Sequence, residues 1–292
     1  MKIYKGIRIH NQLPSGSDSI SINSGTVLHA QHESEMVSYA GVTYTPQYEQ
    51  NAYLPKKDWR ILDATEIEYL QSTSDRKVYD TIYLGEIPPE MKQTFEALQL
   101  TSAKDRNDII PMIEQQPELA SKLNGQLGKF LLSISTDSQF ELFCVGANLP
   151  NMETIGFNPV NFKGGYEDQH KHFMGMHIDR SKVVRIDEVH TLGNRICINL
   201  GTESRYLLFV NLALTQVHEM LKEKIDVIGE DIDCTNIAKT FFHYFPDYPV
   251  IRVKQEPYQY YIAPTDNCFH DGSSLGKKEL DITMVFFGAF KC

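Results

Sequence analysis

Residues 194–212 read NRICINLGTESRYLLFVNL, two short apolar runs separated by a turn cluster that opens on Gly201. Runs this short, rich in Ile, Leu, Val and Phe and bounded by turn formers, are strands rather than helices. Working outward, the same signature recurs in KFLLSIS (129–135), FELFCVG (140–146), KVVRI (182–186), YPVIRV (248–253), YQYYIAP (258–264) and DITMVFFGAF (281–290), most of them bounded by Gly, Pro, Asn or Asp. Eight strand-like runs in the second half of the chain predict a β-sandwich or jelly roll.

The run of strands is interrupted between residues 213 and 244. There Val217, Met220 and Leu221, then Ile237 and Phe241, recur at helical spacing, which places one or two inserted helices between strands. Upstream, residues 88–132 carry Met91, Phe95, Leu98, Ile109, Ile110 and Ile113 on one helical face, so two or three helices belong there. The first 85 residues mix short alternations such as 42–44 and 59–62 with turn clusters such as PSGSDS and SINSG, and read as short strands and loops. The expected class is α+β, mainly β. Without repeats or linker-like tracts, the simplest organisation is one composite domain, with residues 1–129 packing on a core of residues 130–292.

Composition bounds the function. Apolar residues make up 41% and charged residues 23% of the 292, the profile of a folded globular chain. No apolar stretch reaches the roughly 18 residues a membrane helix needs, and the N-terminus MKIYKGIRIH has no signal-peptide core, so the reading is cytoplasmic, with no membrane partner. A formal charge of −10 repels nucleic acid. The pairs Lys56-Lys57 and Lys277-Lys278 read as solvated loop charges, so no nucleic-acid partner is expected. Five cysteines, Cys144, Cys197, Cys234, Cys268 and Cys292, form no C-x-x-C pair, which argues for reduced, mostly buried thiols.

Residues 169–180, QHKHFMGMHIDR, are the richest in metal-ligating side chains. On an extended chain, positions i and i+2 share a face, so His177 and Asp179 can aim together at one ion. With ten histidines in the chain, that tripeptide alone is weak evidence. It gains weight from YQYYIAPTDNCFHDGSS (258–274), where a strand, a turn and then His270 return the chain 93 residues later. Two histidines and one carboxylate leave coordination positions open, which suits Fe(II) oxygen chemistry better than a closed structural zinc site.

These residues, in a late series of short strands, resemble the double-stranded β-helix of the Fe(II)/2-oxoglutarate-dependent dioxygenases. GNRICINL, RYLLFVNL and YQYYIAPTDNCFH are similar to the cupin-like, JmjC-type branch. The resemblance covers about residues 165–292 and implies His177, Asp179 and His270 as catalytic metal ligands, with Fe(II), 2-oxoglutarate and dioxygen as reactants. It also implies a basic residue on a middle strand for the distal carboxylate of 2-oxoglutarate. Arg195 is first choice, with Arg205, Arg252 and Lys277 as alternatives, because the last strand carries no Arg or Lys. Thr265 and Asn267 are expected to add hydrogen bonds near His270. The carboxylate at Asp179 implies hydroxylation or desaturation rather than halogenation.

Other readings compete. Arg195 is equally suited to a structural ion pair. His170, His172, His190, His218 and His243 read as ordinary surface or hydrogen-bonded histidines, Asp271 as a turn former with Gly272, and the tyrosines of 39–53 and 258–261 as half-buried β surface or pocket lining. The expected substrate is a small molecule such as an amino acid or a specialised-metabolite intermediate, and the chain is compatible with a homodimer. The rivals are a metal-dependent cupin enzyme that does not use 2-oxoglutarate and a non-catalytic β-sandwich binding module.

Overall fold

The computed structural model describes residues 2–13, 19–72, 75–158 and 171–291. Its early strands are β1 (Arg8–Asn11), β2 (Ile20–Ile22), β3 (Thr26–Leu28), β4 (Val37–Tyr39), β5 (Val42–Tyr44), β6 (Gln47–Pro55), β7 (Arg60–Ile61) and β8 (Thr81–Glu86), with helix α1 (Ala64–Leu70) between the last two. Helices α2 (Pro89–Leu98), α3 (Ile109–Glu114) and α4 (Pro117–Ile134) follow. Then come β9 (Ser135–Asn148), β10 (His172–Gly175), β11 (Asn194–Asn199) and β12 (Arg205–Phe209), helices α5 (Leu214–Lys222) and α6 (Ile237–Tyr244), and β13 (Ile251–Gln255), β14 (Gln259–Ala263), β15 (His270–Ser273) and β16 (Asp281–Phe290).

The fold is mixed α+β and mostly sheet. A six-stranded sheet runs β1-β8-β14-β11-β16-β9 and a five-stranded sheet runs β15-β12-β13-β2-β7; β10-β6-β3 and the hairpin β4-β5 complete the pairing. From β9 onward the chain keeps crossing between the two large sheets: β11, β14 and β16 return to the larger, β12, β13 and β15 to the smaller. The early strands lengthen both, β8 adding to β14 and β2 to β13.

Period-two alternation decides what each strand contributes. Ile196, Ile198, Ile262, Ile282, Met284 and Phe286 point outward under Met91, Phe95, Leu98, Leu123, Leu127 and Leu131 of α2 and α4. Their neighbours Arg195, Cys197, Tyr261, Thr283 and Val285 point inward, into a cavity between the two sheets. Covered on both faces, β11 is buried at every position, which explains why its sequence is almost continuously apolar.

Several local expectations are corrected. KFLLSIS is the end of α4, because Leu131 extends the buried series Leu123, Leu127 at helical spacing. KVVRI is not a strand; Val183 is exposed and Ile186 opens a 3-10 helix that ends at Thr191. Helix α1 went unpredicted although Asp63 and Glu66 form a capping box, and so did β15. The insert between β12 and β13 holds two helices, and α2 to α4 are three, as the spacing predicts. Cys197 and Cys268 are buried and Cys144 and Cys234 half-buried, all as free thiols; Cys292, the turn residues 14–18 and His170 lie outside the described residues. Among the described residues no helix is long and apolar enough to cross a membrane.

The segment after β9, which walls the cavity with Ile155 and Gly156, is tied down by Glu153. Its buried carboxylate pairs with His32, accepts the Glu35 N–H at 2.8 Å and lies 3.5 Å from Lys57 Nζ. Burial pushes this carboxyl up, but the His32 and Glu35 hydrogen bonds and the charges of His32 and Lys57 outweigh it and hold it below its ordinary value. A depressed carboxyl contributes stability that is full above the unfolded value of about 4.3 and lost as pH falls through the folded one. Glu153→Gln should therefore cost about 1–3 kcal/mol at neutral pH, with the difference from wild type shrinking below about pH 4 in thermal melts.

Candidate metal centre

Gly175 ends β10 with a positive φ of 66°. A Cβ there would lie 2.5 Å from the Tyr53 carbonyl oxygen, so glycine alone fits the turn. The chain then realigns against β15: His177 N–H donates to the His270 carbonyl at 3.1 Å, His270 N–H to the His177 carbonyl at 2.7 Å, and Asp179 N–H to the Thr265 carbonyl at 3.0 Å. His177 and Asp179 thus sit just past β10, on an extended stretch held by the strand that carries His270.

This pairing brings the three expected ligands together. One ligand atom from each lies within 4.8 Å of the other two; Asp179 Oδ2 is 3.4 Å from His270 Nε2, and Asp179 Oδ1 is 4.0 Å from His177 Nε2. The tautomers follow from the neighbours. His177 Nδ1 donates to the Gly175 carbonyl at 2.7 Å and His270 Nδ1 to the Cys268 carbonyl at 3.3 Å, so in each neutral ring the Nε2 lone pair faces the centre. Two imidazole nitrogens and one carboxylate on one side of an open cavity are a donor set that fits a divalent metal with positions to spare.

The electrostatics agree. Burial opposes protonation of His177, but the hydrogen-bonding reach and charge of Asp271, the charge of Asp179 and the Gly175 carbonyl raise its pKa to about 9. Burial would raise Asp179, yet the charge and hydrogen bond of His270, then Arg195 and His177, hold that carboxyl well below the usual range. The acceptors around His177 favour its protonated form, with which a cation at the centre would compete.

The cavity behind the triad measures about 240 Å³, and two of the four basic candidates line it. Both terminal nitrogens of Arg195 are engaged by protein acceptors. Its Nη1 donates to Thr265 Oγ1 and to Asp266 Oδ2 at 2.9 Å and lies 2.8 Å from Asp179 Oδ2, while Nη2 donates to Ser181 Oγ at 2.8 Å. Rings of Phe143 and Phe287 flank the guanidinium at 4.9 and 5.3 Å. Arg195 thus forms a structural ion pair that steers Asp179.

Arg205 opens β12 on the cavity wall and is almost wholly buried. Its Nε lies 3.1 Å from Asp281 Oδ1, its Nη1 donates to Gln255 Oε1 at 3.1 Å, and Lys277 Nζ reaches the same Asp281 oxygen at 3.0 Å. Two buried cations share one buried carboxylate, leaving a surplus positive charge. Lys277 is therefore not the solvated loop charge expected. Arg252 lies away from the cavity, between the rings of Trp59 and Tyr206.

Thr265 lines the cavity, but its hydroxyl accepts from Arg195. Asn267 is not among the lining residues; its amide bonds the Leu214 N–H and the Tyr79 carbonyl, tying α5 to the turn before β15. His172, His190 and His243 are exposed and His218 half-buried, away from the centre. Asp271, expected only as a turn former, and Asp266 and Gly156, which no sequence pattern singled out, also surround the centre. A Cβ on Gly156 would meet His177 Cε1 at 2.3 Å, so its bare backbone is what lets the imidazole lie there; no sequence signal marked it.

Compared with models of known protein families, with curated proteins and with solved structures, the chain finds no match in any of the three.

Replacing His177, Asp179 or His270 with Ala is expected to abolish stoichiometric Co(II) or Fe(II) binding in calorimetry while leaving the circular dichroism spectrum intact. Arg195→Lys keeps a charge but loses the fork over Asp179 and Asp266, and should weaken metal binding about 10–100-fold. Unchanged metal affinity in Arg195→Lys would show that Asp179 needs no such support.

Proposed function

We propose that the protein is an Fe(II)- and 2-oxoglutarate-dependent oxygenase built on a double-stranded β-helix, oxidising an unactivated C–H bond of a small molecule. The fold reading is supported by the repeated crossing of late strands between two facing sheets, with β9-β16-β11-β14 in one and β15-β12-β13 in the other. One observation carries the functional reading: the three triad residues and the buried cation of Arg205 line a single cavity.

Bound at the triad, Fe(II) chelated by 2-oxoglutarate would supply dioxygen activation and hydrogen abstraction. The residues divide the remaining work. His177, Asp179 and His270 hold the ion by one side and keep the other open. Arg205 offers a fixed guanidinium to a distal carboxylate, a role for which a planar fork is better shaped than an ammonium. The missing Cβ of Gly272 leaves room for its edge, since a methyl there would lie 2.7 Å from Nη2. Tyr261, Thr283 and Asn148 line the same cavity with hydroxyl and amide groups. The middle-strand place that the resemblance assigns to Arg195 is thus better filled by Arg205. Phe143, Phe157 and Met174 add an apolar lining, and a cavity this small favours a compact substrate. Asp179 occupies the position a halide would need, which supports hydroxylation or desaturation.

An anaerobic titration with Fe(II) and 2-oxoglutarate should produce the visible charge-transfer band of their chelate. Arg205→Met should weaken 2-oxoglutarate binding roughly 10–100-fold, the worth of a charge-assisted hydrogen bond, and Fe(II) binding far less. Turnover should release one succinate per oxidised product and ignore chloride. Wild-type turnover without 2-oxoglutarate would favour a cupin enzyme of another kind, and absence of any metal binding a plain binding module.

A further inference from the structure

The carboxylate of Asp271 is buried against the ligand His177, and its two oxygens lie in very different surroundings. One oxygen is saturated: Oδ1 accepts the N–H groups of Ile155 at 3.0 Å, Gly156 at 2.9 Å and Gly272 at 2.7 Å. The other makes no hydrogen bond among the described residues. A buried, unsatisfied carboxylate oxygen is expensive and calls for a reason. Oδ2 lies 3.5 Å from His177 Nδ1, beside the Gly175 carbonyl that Nδ1 already contacts. The Nδ1 edge of the imidazole therefore faces two acceptors, one of them charged.

We propose that Asp271 is a positioning residue for the metal centre, fixing the imidazole of His177 from two directions. Through Oδ2 it draws on the Nδ1 edge, which aims Nε2 at the ion and strengthens it as a donor. Through Oδ1 it holds the backbone of Gly156 against the imidazole itself, where any side chain would collide. Neighbours on a strand point to opposite sides, so His270 and Asp271 on β15 serve the centre differently: His270 as a ligand, Asp271 from behind the partner ligand. The inference rests on the reading that His177, Asp179 and His270 hold a metal.

Asp271→Asn separates the two tasks. The amide oxygen can still accept the three backbone N–H groups, but the NH2 then faces Nδ1–H, donor against donor. The expected result is a melting temperature close to wild type, Co(II) affinity lowered about 10–100-fold and an altered Co(II) ligand-field spectrum. Asp271→Ala should lose thermal stability as well. A folded Asp271→Asn protein that binds Co(II) with wild-type affinity and spectrum overturns the proposal, whereas wild-type protein that binds no Co(II) overturns the metal reading beneath it. If Asp271→Asn does not fold, the wild type still decides. In the Zn(II)-loaded protein the His177 Nδ1 proton should resonate further downfield than that of His270, which faces only a carbonyl; equal shifts count against the proposal.

Discussion

Everything at the centre depends on two backbone hydrogen bonds between His177 and His270, at 3.1 and 2.7 Å. They are the sole antiparallel bridge between the stretch after β10 and strand β15 among the described residues, and they join positions far apart in the chain. Because both ligands are held through their main chains, neither side chain has to find the other. Each imidazole then needs only a fixed ring angle, and each obtains one from a carbonyl two residues earlier, Gly175 for His177 and Cys268 for His270. The shared i, i−2 pattern is a local device that an extended chain provides and a helix does not.

Around that bridge the buried charges sort by sign. Near the triad, Asp179 and Asp266 share Arg195, two carboxylates to one guanidinium; around Arg205, which also lines the cavity, Arg205 and Lys277 share Asp281, two cations to one carboxylate. Unbalanced charge of either kind is costly in a protein interior. A fold seeking stability alone would pair these groups completely or replace them with apolar ones. Here each cluster stays unbalanced, and each contributes an arginine to the lining of the same cavity.

Much of this was legible in the sequence, and the failures have physical causes. The triad could be read because its signal is local at 177 and 179, and because His270 follows a strand and a turn. The sheet strands 194–199, 205–209, 259–263 and 281–290 could be read because extensive burial makes them mostly apolar runs, and 251–255 because Ile251 and Val253 alternate with half-buried Arg252 and Lys254. KFLLSIS misled because a short apolar run is equally a strand or the end of a buried helix, and only the preceding leucines decide. Strand β15, HDGS, carries no β-forming side chains at all; its pairing with β12 makes it a strand. The surroundings of Arg195 and Arg205 were not legible for a different reason: how many acceptors meet Arg195 depends on residues 179, 181, 265 and 266 converging in space.

The same convergence bears on how the site is held when ligands come and go. His177 is contacted on its Nδ1 edge by Gly175 and Asp271 and flanked by Gly156, while Asp179 is held by Arg195 and the Thr265 carbonyl. These supports come from β10, the segment after β9, β11, β15 and the turn before it, elements far apart in the chain. A ligand that neutralises the buried charges binds the folded state and not the unfolded one, so it stabilises the protein by mass action. The hydrophobic clusters on either side of the cavity offset the cost of its unpaired charges. The outward faces of β11, β14 and β16 supply part of that packing through Ile196, Ile198, Ile262, Ile282, Met284 and Phe286, while their inward Arg195, Cys197, Tyr261 and Thr283 line the cavity beside the triad from the other elements.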